Sequence, residues 1–157
     1  MEESIIYAKK YLEDILSFFG LNTDIHASNS EDEVIELNIP STYLNGFLIG
    51  QQGETMRALQ FMVGNALKNN GYAITRVSVD VADYKKARAD RLAETAQEWI
   101  KQVKESGKDK ELNPMNAADR RTVHKAASEY GLTTESVGEG RDRHIVLKAP
   151  VTSETAE

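Results

Sequence analysis

The chain has 157 residues, of which 40% are hydrophobic and 28% charged, with a formal net charge of −6 and no cysteine. This is the composition of a folded globular chain, long enough for one ordinary domain or for two small ones that are each only marginally stable alone. No apolar run approaches the roughly 18 residues of a membrane span, the Met1-Glu2-Glu3 start has no signal-like character, and three scattered histidines without a thiol give no metal centre or disulfide; a cytoplasmic protein without membrane insertion or cofactor is expected.

In chain order, Ile5, Ala8, Leu12, Ile15, Leu16 and Phe19 keep a helical period that Gly20 stops. Two alternating segments predict strands over Asp24–Ala27 and Val34–Ile39, with Asn29 and Ser30 in the turn and Ile35, Leu37 and Ile39 on one face. A short helix is expected over Ser41–Ile49. After the turn Gly50-Gln51-Gln52-Gly53, Met56, Leu59, Val63, Ala66 and Leu67 mark a longer helix, and Val77, Val79 and Val81 a closing strand.

A further helix runs from about Tyr84 to Ser106 on the stripe Leu92, Ala96, Trp99, Ile100 and Val103. Pro114 keeps Asn113 extended. Asn116 is an N-cap, with Asp119 as a capping-box-like partner, for a helix ending at Tyr130-Gly131. Strands Thr133–Val137 and Arg143–Leu147 flank the turn Gly138-Glu139-Gly140, and residues 150–157 form a disordered tail. The fold class is α+β throughout, a helical layer on one sheet in the first half and a small α+β unit in the second.

Charge is unevenly divided. Residues 1–83 carry 5 Lys and Arg against 12 Asp and Glu, whereas residues 84–149 carry 14 against 11. The change of sign coincides with the change of pattern and predicts a domain boundary near Asp83.

The Gly-Gln-Gln-Gly turn opens a helix, whose first N–H groups and partial positive charge suit an anion, and glycine lets a phosphodiester approach closely. A glycine-punctuated helix–turn–helix joint without a ligand is the simpler account of a bare G-x-x-G. The surrounding order of strand, helix, turn, helix and strand resembles the KH domain, whose GXXG loop clamps about four single-stranded nucleotides. The resemblance covers residues 4–82, and the leading helix and strand look like the type II arrangement with a three-stranded sheet. It implies contacts to nucleic acid from Ile49, Gly50, Gln51, Gln52, Gly53 and Arg57. The two glutamines stand where KH loops often carry basic residues, so they donate hydrogen bonds without long-range attraction.

On a helical wheel of about 100° per residue, Arg120 at 0° is followed by His124 at about 40°, Arg121 at about 100° and Lys125 at about 140°. Val123, Ala126, Ala127 and Tyr130 fall on the opposite arc and are expected to pack inward. A solvated charged face is the plain reading; Arg141 and Arg143 on the closing hairpin strengthen an anion-binding one. The Arg120-x-x-x-His124 spacing, preceded by Asn113-Pro114-Met115-Asn116 and followed by Gly138-Glu139-Gly140-Arg141, resembles the R-3-H domain, a single-stranded nucleic-acid module with a three-stranded sheet, in which Arg120 and His124 are the signature pair.

The tandem of a KH domain (1–83) and an R-3-H domain (84–149) is similar to the bacterial Jag family, also called KhpB or the SpoIIIJ-associated protein. That resemblance implies single-stranded RNA binding, with single-stranded DNA as a further ligand, links to cell elongation, division or sporulation, and a small KH-domain protein or a second copy as partner. Many members carry an N-terminal Jag domain and linker with no counterpart here, and roles tied to that segment stay open. Two other classes compete. One is a protein scaffold using the acidic half, with nucleic acid incidental. The other is an enzyme built on His124, against which stand the missing second histidine or carboxylate pair and the missing Lys-Ser/Thr of a P-loop; no catalytic residue is assigned.

Overall fold

In the computed structural model, residues 2–150 are described, so the tail expected over 150–157 lies outside the described residues apart from Pro150. The chain divides into two compact units between Lys85 and Lys86.

The first unit begins with α1 (Glu2–Phe18), followed by β1 (His26–Asn29) and β2 (Ile35–Ile39). Next come α2 (Asn45–Ile49), a 3-10 turn (Gln51–Gly53), α3 (Glu54–Asn69) and β3 (Val77–Val81). The sheet order is β1-β2-β3, with β1 antiparallel and β3 parallel to β2. A parallel neighbour requires a crossover, and α2 with α3 supplies it. Ala8, Leu12 and Leu16 of α1 and Met56, Leu59, Val63 and Leu67 of α3 join Ile35, Leu37, Ile39, Val77, Val79 and Val81 in one core. Each fully buried Leu, Ile or Val contributes roughly 1.5–3 kcal/mol before chain entropy is counted.

Four readings shift. The first strand begins at His26, two residues later than the expected start at Asp24, because the ladder pairs His26 with Asn38 through Asn29 with Ile35; Ile25 is buried just ahead of it. The turn correspondingly moves to residues 30–34, where Ser30 N–H donates to Val34 O at 2.9 Å and Glu33 takes a φ of 56°. Helix α2 starts at Asn45 rather than Ser41, since Asn45 Oδ1 accepts from Thr42 N–H at 2.8 Å and its Nδ2 donates to Ser41 Oγ at 2.9 Å, holding the approach as a turn. Phe19 lies beyond α1 with half its surface open, edge-on to Phe47 at 5.1 Å.

Helix α4 (Tyr84–Ser106) starts at the end of the first unit and continues in the second, where β4 (Lys110–Glu111), α5 (Ala117–Glu129), β5 (Thr133–Val137) and β6 (His144–Lys148) follow. The sheet order is β4-β6-β5, antiparallel throughout. Ala96, Ile100 and Val103 of α4 and Val123, Ala126 and Ala127 of α5 bury with Leu112, Leu132, Ile145 and Leu147. Tyr130 was expected inside but caps α5 with its ring 43% exposed, 5.8 Å from Lys104 Nζ. The last strand begins at His144 rather than Arg143, because a 3-10 turn over Gly140–Asp142 extends the connection.

Candidate nucleic-acid interface

Local backbone geometry sets the glycine turn. Helix α2 ends at half-buried Ile49, and Gly50 follows with φ 69° and ψ −175°, a region open in practice only to glycine. A Cβ there would overlap Thr55 Oγ1 and stand 2.8 Å from Thr55 N. That close approach gives Gly50 a structural reason independent of any ligand. Gln52 is left-handed at φ 51°, ψ 28°, and Gly53, at φ 79°, ψ 18°, caps α3 without a side-chain hydrogen bond. Gln51 and Gln52 are exposed while Gly53 is buried. Arg57 Nη1 donates to Gln52 O at 2.8 Å, so this guanidinium braces the turn.

From Arg57 a groove of about 440 Å³ runs along α3, lined by Gln60, Phe61, Gly64, Asn65 and Lys68 and by Thr75 and Val77 of the chain entering β3. Gly64 keeps the groove narrow: a Cβ there would come within 3.2 Å of Thr75 O. Gln60 Oε1 accepts from Val79 N–H at 3.1 Å, which fixes its side chain and leaves its NH2 for a ligand. The groove contains two cations and no acid, although its unit is the acidic one. Lys9 is taken by Asp24 at 2.6 Å and Glu13 at 3.8 Å, and Lys10 by Asp14 at 3.3 Å. The Lys9 hydrogen bond holds the Asp24 carboxyl below its usual range, as Asp24 in turn raises Lys9. Arg57 and Lys68 form no ion pair among the described residues. The acidic unit thus carries one groove lined by two cations and no carboxylate. A signal was present in the sequence: Phe61 falls out of phase with the buried stripe Met56, Leu59 and Val63.

In the second unit the N-cap is as read, with Asn116 Oδ1 accepting from Asp119 N–H at 2.9 Å. Asp119 does not return the bond. Its carboxylate is nearly buried and accepts from Arg88 Nε at 2.9 Å and Nη2 at 2.6 Å, a two-pronged pair that fastens α5 to α4.

The basic residues do not form one face. Arg120 is half-buried, its Nη1 donating to Met115 O at 2.7 Å, and His124 Nδ1 is hydrogen-bonded to Thr134 Oγ1 of β5. Arg143 is exposed, with Nε donating to Ser136 Oγ of β5 at 2.9 Å, and Arg141 is exposed in the 3-10 turn. His124 and Arg143 thus reach β5, whereas Arg120 is held on the segment before α5. Arg121 and Lys125 instead line a separate groove of about 320 Å³ between α4 and α5, shared with Asp90 and Glu129. An arc of about 140° on a wheel is wide enough for neighbouring elements to divide it.

Comparison with known proteins adds to this geometry. Residues 90–149 match the R-3-H domain. The chain is 29% identical over 148 residues to the RNA-binding protein KhpB of Bacillus subtilis (strain 168), covering 92% of this chain and 70% of the relative. It is 28% identical to KhpB of Clostridium symbiosum, over 89% of this chain and 64% of the relative. It is 32% identical to KhpB of Lactiplantibacillus plantarum, over 85% of this chain and 41% of the relative. Thus the second unit contains an R-3-H domain, and the chain as a whole is similar to RNA-binding proteins named KhpB while spanning from 41% to 70% of their lengths.

Proposed function

We propose that this chain is a non-catalytic single-stranded RNA-binding protein of the Jag/KhpB family, with a type II KH domain over 1–83 and an R-3-H domain over 84–149. The observation that carries the reading is the Gly50–Gly53 turn opening onto a groove whose Arg57 and Lys68 have no ion-pair partner among the described residues. The similarity to KhpB proteins supports it.

Ile49, Gly50, Gln51, Gln52 and Gly53 position a backbone segment, with Arg57 bracing them; Arg120, His124, Arg141 and Arg143 offer a second track, and Arg121 and Lys125 an outlying one. Each track is weak alone, and linkage raises the joint affinity through effective concentration. Post-transcriptional regulation in the bacterial cytoplasm, linked to elongation, division or sporulation, follows from the family resemblance, as does pairing with a small KH-domain protein.

The test is anisotropy of a labelled single-stranded RNA. Replacing both Gln51 and Gln52 with Asp places two charges against the phosphates and weakens binding about tenfold or more with circular dichroism unchanged, about 1.4 kcal/mol of repulsion. Equal affinity in that variant would remove the turn from the binding surface.

A protein-interaction surface is the second reading, and one observation favours it. Tyr7, Tyr11 and Tyr72 line a groove of about 560 Å³ along α1, with ring centroids 6.0 and 5.0 Å apart and Glu3 and Asp14 on its rim. Salt titration separates the readings, since RNA binding falls by roughly 0.7 log units per phosphate contact for each log unit of salt.

A further inference from the structure

We propose that Phe61 is a base-stacking residue, and that the groove along α3 reads one unpaired nucleobase as well as holding the backbone on either side of it. The inference rests on the RNA-binding reading and names a contact within it.

Phe61 is 69% exposed in the middle of α3, beside Met62 at 43%, and both stand apart from the helix's buried apolar stripe. An isolated exposed aromatic needs no explanation, but this one lines a groove with a cation at each end. Arg57 precedes it by one helical turn and Lys68 follows by two, placing the cations about 16 Å apart along the axis at ~1.5 Å per residue. That span exceeds the separation of adjacent phosphates, so the two cations suit phosphates set more than one nucleotide apart, with a splayed base between them.

An aromatic face between them gives the base a surface to stack on, and every base has such a face. Beside the ring, the Gln60 NH2 and the Asn65 amide offer groups for a base edge, with Gln60 already oriented through Val79 N–H. A protein partner is the poorer occupant, because the groove has a cation at each end, no acid, amide groups beside its one aromatic ring and a close Gly64–Thr75 approach.

Two measurements test it on the full chain with a labelled single-stranded RNA of mixed sequence at low salt. Phe61→Ala weakens binding roughly five- to 150-fold, the range for loss of one base–aromatic stack, while Phe61→Tyr retains it. In a Trp99→Phe background, Phe61→Trp supplies a single indole whose fluorescence the RNA quenches. If the wild-type chain binds RNA but Phe61→Ala binds equally and the Phe61→Trp indole is not quenched, stacking is overturned while the RNA-binding reading stands. If Phe61→Ala leaves RNA affinity unchanged but converts a dimer to a monomer in sedimentation velocity, the ring serves a protein contact and the proposal also falls. If the wild-type chain binds no RNA at all, the reading beneath it fails first.

Discussion

The two units differ in net charge and, in the opposite sense, in whether carboxylates share a groove with their cations. Residues 1–83 are strongly acidic, yet Arg57 and Lys68 share a groove without a single carboxylate. Residues 84–149 are basic, yet Arg88 is bound to Asp119, and Arg121 and Lys125 share their groove with Asp90 and Glu129. Net charge sets the long-range field, but a phosphate at contact meets the local arrangement. A sum over the sequence therefore ranks the two halves one way and the structure ranks their grooves the other.

The sharpest separation of the units comes from stability. Gly50→Ala forces an alanine into φ 69°, ψ −175° and its methyl onto Thr55, which costs about 2–4 kcal/mol from strain and overlap. Urea unfolding followed by circular dichroism shows an early transition for the first unit, while the emission of Trp99, which packs against the second core, keeps its midpoint. A shift of both transitions together would show that the units unfold as one.

The second unit has its own fastening. Arg88→Ala leaves Asp119 nearly buried without its guanidinium, and with Arg88 itself about a third exposed the loss is about 2–3 kcal/mol. Here the Trp99 transition moves and the RNA affinity of the α3 groove does not.

A smaller effect bears directly on the ranking of the grooves. Arg57→Ala with Lys68→Ala reduces the slope of log affinity against log salt by roughly 1.4, two contacts at ~0.7 each on a single strand. Arg121→Ala with Lys125→Ala changes it by less than half of that. Equal slopes in the two variants would return the electrostatic role to the second unit.

The smallest effect is a pH dependence. The Asp109 carboxyl is held below its ordinary range, first by the Ala149 N–H and then by Lys148. Because its folded pKa is depressed, its contribution is present above the unfolded value near 4 and lost as pH falls through the lower folded one. Asp109→Asn lowers the second unit's stability slightly at neutral pH, leaves it nearly unchanged at the acid end, and so flattens the acid limb of its unfolding curve. Asp24, lowered by Lys9, does the same for the first unit.

Most helices were legible because long apolar stripes have one period and glycines mark their ends, as at Gly20, Gly71, Gly107 and Gly131. Short elements were less so. Ile25 advertises a strand start at Asp24, two residues early, because burial, not pairing, explains it. The Ser41 start of α2 fails because Asn45 folds its side chain back on the preceding turn. The glycine turn could be found from spacing alone, since backbone freedom is written in residue type. The groove beside it could not: Arg57, Phe61 and Lys68 are neighbours by helical period, but that Thr75 and Val77 rather than a carboxylate face them depends on how α3 lies on β3. The division of Arg120 and His124 from Arg121 and Lys125 likewise depends on which neighbours α5 meets.

The side chain of Gln60 also bears on how the first sheet ends. β3 is an outer strand, and an outer strand offers its amides to any chain that can add to it. Gln60 Oε1 occupies the Val79 N–H, and Asp80 Oδ1 occupies that of Val81. Two donors on this border are thereby satisfied within the molecule, so templated growth of the sheet meets resistance here, and the opposite border at β1 is left as the side where another strand could join.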